Sequence, residues 1–158
     1  MKKQKGFSLI ELLIVVAIIL IIAAIAIPNL MRARMSANES SAAGSVRTIN
    51  TGEVSYFAVY PATGFATLGA LGGAQPCTPA IATGCFIDNF LATNGGGTGK
   101  DGYTFSVIAP TVTGYTSLAN PSTLNQTGTR SFCSDQSGVI YALSGALGCT
   151  PATGTALQ

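Results

Sequence analysis

Residues 6–30 read GFSLIELLIVVAIILIIAAIAIPNL, and this stretch decides the fold. Phe7 to Ile27 is a run of 21 residues whose only polar interruptions are Ser8 and Glu11. A helix of ~20 apolar residues crosses the hydrocarbon core of a bilayer. Working outward towards the amino terminus, Lys2, Lys3 and Lys5 precede the run. Basic flanks stay on the cytoplasmic side, so the chain after residue 27 is expected outside. Three readings fit a segment of this kind. It could be a cleavable secretory signal with Ala24-Ile25-Ala26 as the small-x-small site, a permanent anchor, or an assembly element. The first two leave Glu11 unexplained, because an acidic side chain inside a membrane helix costs roughly 2.5–3.5 kcal/mol. It calls for a cation nearby.

Composition narrows the functional classes. Of 158 residues, 9% are charged and 47% apolar, against ~25% charged in ordinary soluble domains. The formal net charge is +2, but the leading lysines hold three of the eight basic residues. No Lys/Arg run follows residue 5, so no nucleic-acid footprint is expected. There is no histidine. That excludes Ser-His-Asp triads, imidazole proton shuttles and His-ligated metals.

The quoted stretch resembles the amino terminus of the type IV pilin family, which includes the pseudopilins of type II secretion. The shared features are a short basic leader, a Gly-Phe junction, a glutamate at the fifth position after that junction and a proline at the twenty-second. The resemblance implies that a prepilin peptidase, acting also as methyltransferase, cuts between Gly6 and Phe7 and N-methylates Phe7. It implies that Glu11 pairs with the α-amine of a neighbouring subunit as apolar helices stack. Residue chemistry agrees with each step. Gly6 has no Cβ to obstruct a protease. The new amine, with an unperturbed pKa of ~7.7–8.0, is cationic at neutral pH. Removing one partner of a buried ion pair costs ~3–5 kcal/mol, so Glu11 would select register.

Beyond residue 28 the helix is expected to continue. No proline lies between Asn29 and Tyr60, and Met31, Met35, Ala42, Val46, Ile49, Val54 and Phe57 recur at mostly three- or four-residue steps. These mark one stripe of an amphipathic helix over 29–60, stopped by Pro61. A helix from Phe7 to Tyr60 would be ~80 Å long and its first half would protrude. Pro28 cannot donate to the carbonyl of Ala24, so a kink or weakened turn is expected there. Gly44 and Gly52 each lower helix stability by roughly 1 kcal/mol. Tyr56, Phe57 and Tyr60 are expected to pack the helix end onto a sheet.

Residues 61–158 hold sixteen of the nineteen glycines and six of the seven prolines, the punctuation of turns and short strands. Residues 61–84 read as an irregular loop, 86–92 as a brief helical turn and 94–102 as a glycine-rich turn. Strands are expected over Tyr103 onward (YTFSVIAP), 115–119, 130–134 and 139–143, with Asp135-Gln136-Ser137-Gly138 as a hairpin turn. The fold class is therefore α+β: a long amino-terminal helix on a three- or four-stranded antiparallel sheet, which also resembles the pilin fold.

Cys77, Cys85, Cys133 and Cys149 lack the close pairing that zinc prefers. Export favours disulfides, with three connectivities open; the sequential one, Cys77–Cys85 and Cys133–Cys149, is adopted. The second loop resembles the disulfide-bounded carboxyl-terminal region of pilins. Asp88, Asp101 and Asp135 have no activating partner. Asp101 and Asp135 fall in turns, where side-chain to backbone bonds are the ordinary role. Some pseudopilins bind calcium in this part of the head, which singles out Asp135, but no dense oxygen-ligand loop is visible. Asn38-Glu39-Ser40 and Asn125-Gln126-Thr127 match a glycosylation sequon.

The expectation is a structural filament subunit with no catalytic, cofactor or metal residues. It has a leader at 1–6, a membrane and filament-core helix at 7–28, an amphipathic helix at 29–60 and a disulfide-bonded head at 61–158. Its precursor would sit in the cytoplasmic membrane and its product in a surface homopolymer. Assembly machinery supplies ATP chemistry from outside, because no phosphate-binding loop is present. A type II pseudopilin is the alternative within the family, and a secreted binding protein the alternative of another class.

Overall fold

The computed structural model describes residues 7–157. Helix α1 covers Leu9–Val59. Two short helices follow, α2 at Leu68–Leu71 and α3 at Asn89–Ala92, then a 3-10 turn at Gly95–Gly97. Five strands complete the chain: β1 Tyr103–Ile108, β2 Thr116–Pro121, β3 Arg130–Asp135, β4 Ile140–Ser144 and β5 Thr155–Ala156. They form one antiparallel sheet in the order β1-β2-β3-β4-β5. The chain divides into two compact units, Met1–Arg34 and Met35–Gln158. The second half of α1 therefore belongs with the sheet.

The α+β class is as expected, and the differences are local. The sheet has a fifth strand, which a two-residue Thr-Ala pairing against Tyr141 and Ala142 is too short to announce in sequence. The stretch 61–84 is not wholly irregular, since α2 lies inside it. Neither Gly44 nor Gly52 ends α1, because tertiary packing holds it: Gly52 is buried against Ile87 and Leu71. Pro28 lies inside α1 and does not end it either.

In the second unit one face of the sheet meets α1. Ala42, Val46, Ile49 and Tyr56 pack with Tyr103, Phe105, Ala119, Phe132 and Ala142 in one core. Residues two apart on β1 and β3 and their cross-strand partners share that face, as strand alternation requires. The buried stripe is shifted from the expected one. Met31 and Val54 are exposed and Phe57 lies at the rim, whereas Glu39, Ser45, Asn50 and Glu53 are buried beside the apolar residues. Tyr56 packs against Tyr60 and Phe86, with ring centroids 4.9 and 6.2 Å away.

The other face of the sheet carries a smaller core of Leu118, Cys133 and Cys149 with Tyr141 and Leu143. Disulfides join Cys77 to Cys85 and Cys133 to Cys149. The second ties β3 to the carboxyl-terminal segment and is buried at both ends. Restricting the unfolded chain in this way contributes ~2–4 kcal/mol per bridge. The β3–β4 turn forms as its sequence implies. Gly138 N–H donates to the Asp135 carbonyl (2.9 Å), Ser137 N–H donates to Asp135 Oδ1 (2.8 Å), and Gly138 takes a φ of 74°. That is the left-handed region, where a side chain would be strained.

Candidate functional site

The candidate site is residues 7–34, helical from Leu9 onward, whose sequence up to Ile27 is apolar apart from Ser8 and Glu11. Apart from the half-buried Ala23, its residues are exposed. Phe7 is 80% exposed and Ile18 52%. Exposed apolar surface on this scale marks an interaction or membrane surface rather than a soluble one. Among the described residues, α1 is the one helix long and apolar enough to cross a membrane.

Glu11 is placed by the helix start. Ser8 stands before the first helical residue and Glu11 is third in the helix, the S-x-x-E spacing of a capping box. Ser8 N–H donates to Glu11 Oε2 at 2.9 Å, and Leu12 N–H donates to the Ser8 carbonyl at 3.3 Å. The carboxylate thus satisfies one backbone donor left free by the helix start and lies at the positive end of the helix dipole. Among the described residues no cation pairs with it: the one ion pair joins Arg130 to Glu39. Among the described residues, Ser8 is the one hydrogen-bond donor to this carboxylate, and it bonds Oε2. Gly6 lies outside the described residues, and Phe7 is the first described residue of the segment.

At its other end the segment passes through Pro28 within α1 to Arg32 and Arg34, both exposed. Asp88 and Asp135 hold local structure, whereas Asp101 bonds the helix rather than its own turn. Asp88 Oδ1 accepts from Leu91 N–H (2.9 Å) and caps α3. Asp101 accepts from Ser41 Oγ (2.6 Å), and Asp135 shapes the β3–β4 turn. No cluster of three or more His, Cys, Asp or Glu residues able to hold a metal forms among the described residues. Of the two sequon asparagines, Asn38 is half-buried and its amide donates to the Thr127 carbonyl (2.9 Å), while Asn125 is exposed.

The first 27 residues match the prokaryotic N-terminal methylation motif. The amino terminus is thus similar to that of prokaryotic prepilins. The chain is similar to the type IV wide pilus major component PilA4 of Thermus thermophilus, with 62% identity over 40 residues. This stretch is 25% of this chain and 30% of the relative. It is also similar to the type IV major pilin protein PilA of Myxococcus xanthus, with 46% identity over 55 residues, 35% of this chain and 25% of the relative. The chain thus spans less than a third of the length of these curated relatives.

Sequence reasoning missed two glutamates that fix the second unit. Glu39 is 6% exposed. Its Oε1 accepts from Thr129 N–H and Oγ1 (both 2.8 Å), and its Oε2 accepts from Arg130 Nε (2.8 Å). Burial alone pushes this carboxyl up, but the bonds from Thr129 and Arg130 outweigh it and hold the pKa below the ordinary 4.5. Glu53 is fully buried. The signal was available, because residues 39, 42, 46, 49, 53 and 56 share the three- and four-residue steps of the buried stripe. Acids in phase with an apolar stripe need partners inside the fold.

Proposed function

We propose that this protein is the structural subunit of a type IV pilus. The observation that carries the reading is the coincidence of a prepilin methylation motif with an exposed apolar helix bearing one carboxylate. In this reading residues 1–6 are a leader, and a prepilin peptidase cuts after Gly6 and methylates Phe7. The precursor is held in the cytoplasmic membrane by residues 7–28. Assembly machinery then draws it into a surface filament, with residues 29–60 continuing the helix into the disulfide-bonded head. The role is structural rather than enzymatic.

The physical logic favours a polymer. Exposed apolar side chains gain roughly 25 cal/mol per Å2 on burial against other copies, which supplies cohesion without direction. The Phe7 α-amine of one copy and Glu11 Oε1 of another supply direction, because an unpaired carboxylate among packed apolar helices is costly. Contacts between unlike surfaces of identical chains generate open helical assemblies rather than closed rings.

The test is co-expression with a type IV pilus assembly system, imaging with antibody against the head. Labelling along surface filaments is expected. Glu11→Ala should keep its membrane level while filament yield falls at least tenfold. A wild-type product found only as a soluble monomer in the medium would overturn the reading, and undiminished filaments from Glu11→Ala would remove the pairing from it.

A further inference from the structure

Glu53 is the group whose burial the pilus reading leaves without a use. It is 0% exposed on the sheet-facing side of α1. Its Oε2 accepts from Ala66 N–H at 2.8 Å, a bond that ties the chain after α1 back onto the helix. Its Oε1 has no hydrogen-bond partner, and among the described residues it is the one buried side-chain polar atom so left. Among the described residues no cation pairs with it. The titratable groups that face it are Tyr56 on α1 and Tyr115 ahead of β2, both buried and both acids, with Asp135 acting on Tyr115 from beyond. A charge here meets no opposite charge.

The segment it holds is tied at other points as well. Thr63 and Gly64 N–H groups donate to the Tyr60 carbonyl, and Phe65 N–H donates to the Thr111 carbonyl. Phe65 stacks on Phe57 and tilts against Tyr115, at 5.0 and 4.8 Å between ring centroids. Residues 61–63 are exposed, while Gly64 and Ala66 are buried and Ala66 joins the main core. The Glu53–Ala66 bond is the inner polar fastening of this segment.

We propose that Glu53 is a pH-sensitive latch: its neutral carboxyl holds residues 61–67 against α1, and its ionisation releases them. A neutral carboxyl with one unpartnered oxygen is tolerable in this position, whereas a carboxylate needs donors for Oε1 that only water can bring. Water reaches it when the segment lifts. The Ala66 bond favours the charged form, but burial is the larger influence and raises the carboxyl pKa from 4.5 to about 7. The sign follows. With the folded value raised, docking is strongest below the ordinary value, weakens as pH rises through the interval up to about 7, and levels off above it. The inference stands independently of the pilus reading.

Hydrogen exchange of the full chain in detergent micelles tests it, following the 61–67 peptide after correction for the intrinsic pH dependence. Between about pH 5 and pH 7.5 protection should fall on the order of 100-fold relative to Glu53→Gln, which keeps an acceptor for Ala66 and cannot ionise. Parallel behaviour of the two proteins would overturn the latch. If Glu53→Gln does not fold, infrared spectra in a Glu11→Gln background decide instead. A protonated carboxyl band present at about pH 6 should vanish in step with the loss of protection. Its absence at about pH 6, or its persistence after protection is lost, would overturn the proposal.

Discussion

Glu39→Ala removes the clamp that joins α1 to the start of β3, and the structure fixes its cost from both sides. Three hydrogen bonds of 2.8 Å are lost, two from Thr129 and one from Arg130. Bonds to a charged acceptor contribute ~1.5–3 kcal/mol each in favourable cases. The Arg130 side chain is 40% exposed, so the ionic part is screened and belongs nearer the surface range of ~0–1 kcal/mol. Thr129 N–H and Oγ1 lose their acceptor in a partly buried position. A destabilisation of about 3 kcal/mol follows, which for a domain of this size lowers Tm by about 10 °C. The pKa direction gives a second, independent handle. A carboxyl held below its ordinary value of 4.5 stabilises the fold above that value and loses its contribution as pH falls through the folded pKa. Thermal melts of wild type and variant should therefore differ fully at about pH 7 and converge as pH falls below 4.5 and through the lowered folded pKa. A difference under ~0.5 kcal/mol at neutral pH, the range of ordinary surface changes, would refute the clamp. A difference unchanged in acid would refute its electrostatic origin.

Two glycines of the same helix should respond oppositely to alanine. Gly44 has nothing within 4 Å of an added Cβ, so Gly44→Ala should stabilise by up to ~1 kcal/mol. In Gly52→Ala the new methyl would come 2.7 Å from Ile87 Cγ2, and urea unfolding should report a loss of ~1–3 kcal/mol. Replacing Cys133 and Cys149 by serine should cost ~2–4 kcal/mol, and reductant should then have a smaller remaining effect on the melt than in wild type. Asn50→Leu leaves the Tyr115 and Ser117 hydroxyls without the Asn50 Oδ1 acceptor and Ser134 Oγ without the Asn50 amide donor. It should lower stability by ~2 kcal/mol in the same assay.

How much of this was legible in the sequence depended on which force set each feature. The apolar run, Glu11 and the proline offset were readable because they are local and chemically specific. So was the Asp135–Gly138 turn, where one side chain and one left-handed glycine determine the geometry. Strand cores were readable where alternation is clean, as in Tyr103, Phe105 and Val107. Strand ends were less so: β2 runs two residues past the expected Ala119, because pairing of Asn120 and Pro121 with β1 extends it. The buried face of α1 was misplaced for a related reason. An apolar count chose Val54 and Phe57, whereas β3 and the residue before it select Glu39 and Asn50 by offering them donors and acceptors from residues up to 91 positions away, and Glu53 is bonded by Ala66 N–H from the loop after the helix. Periodicity registers hydrophobicity and is blind to satisfied polar groups. α2 and β5 are four and two residues long, too short for any period to show.

The central claim, that the apolar helix is an assembly element released by cleavage at the Gly6–Phe7 junction, is tested most directly by mass spectrometry of the amino-terminal peptide from the cell-surface protein. N-methylated Phe7 as the first residue is the predicted result. A mature chain beginning at Met1 or at Ile27 would contradict the claim.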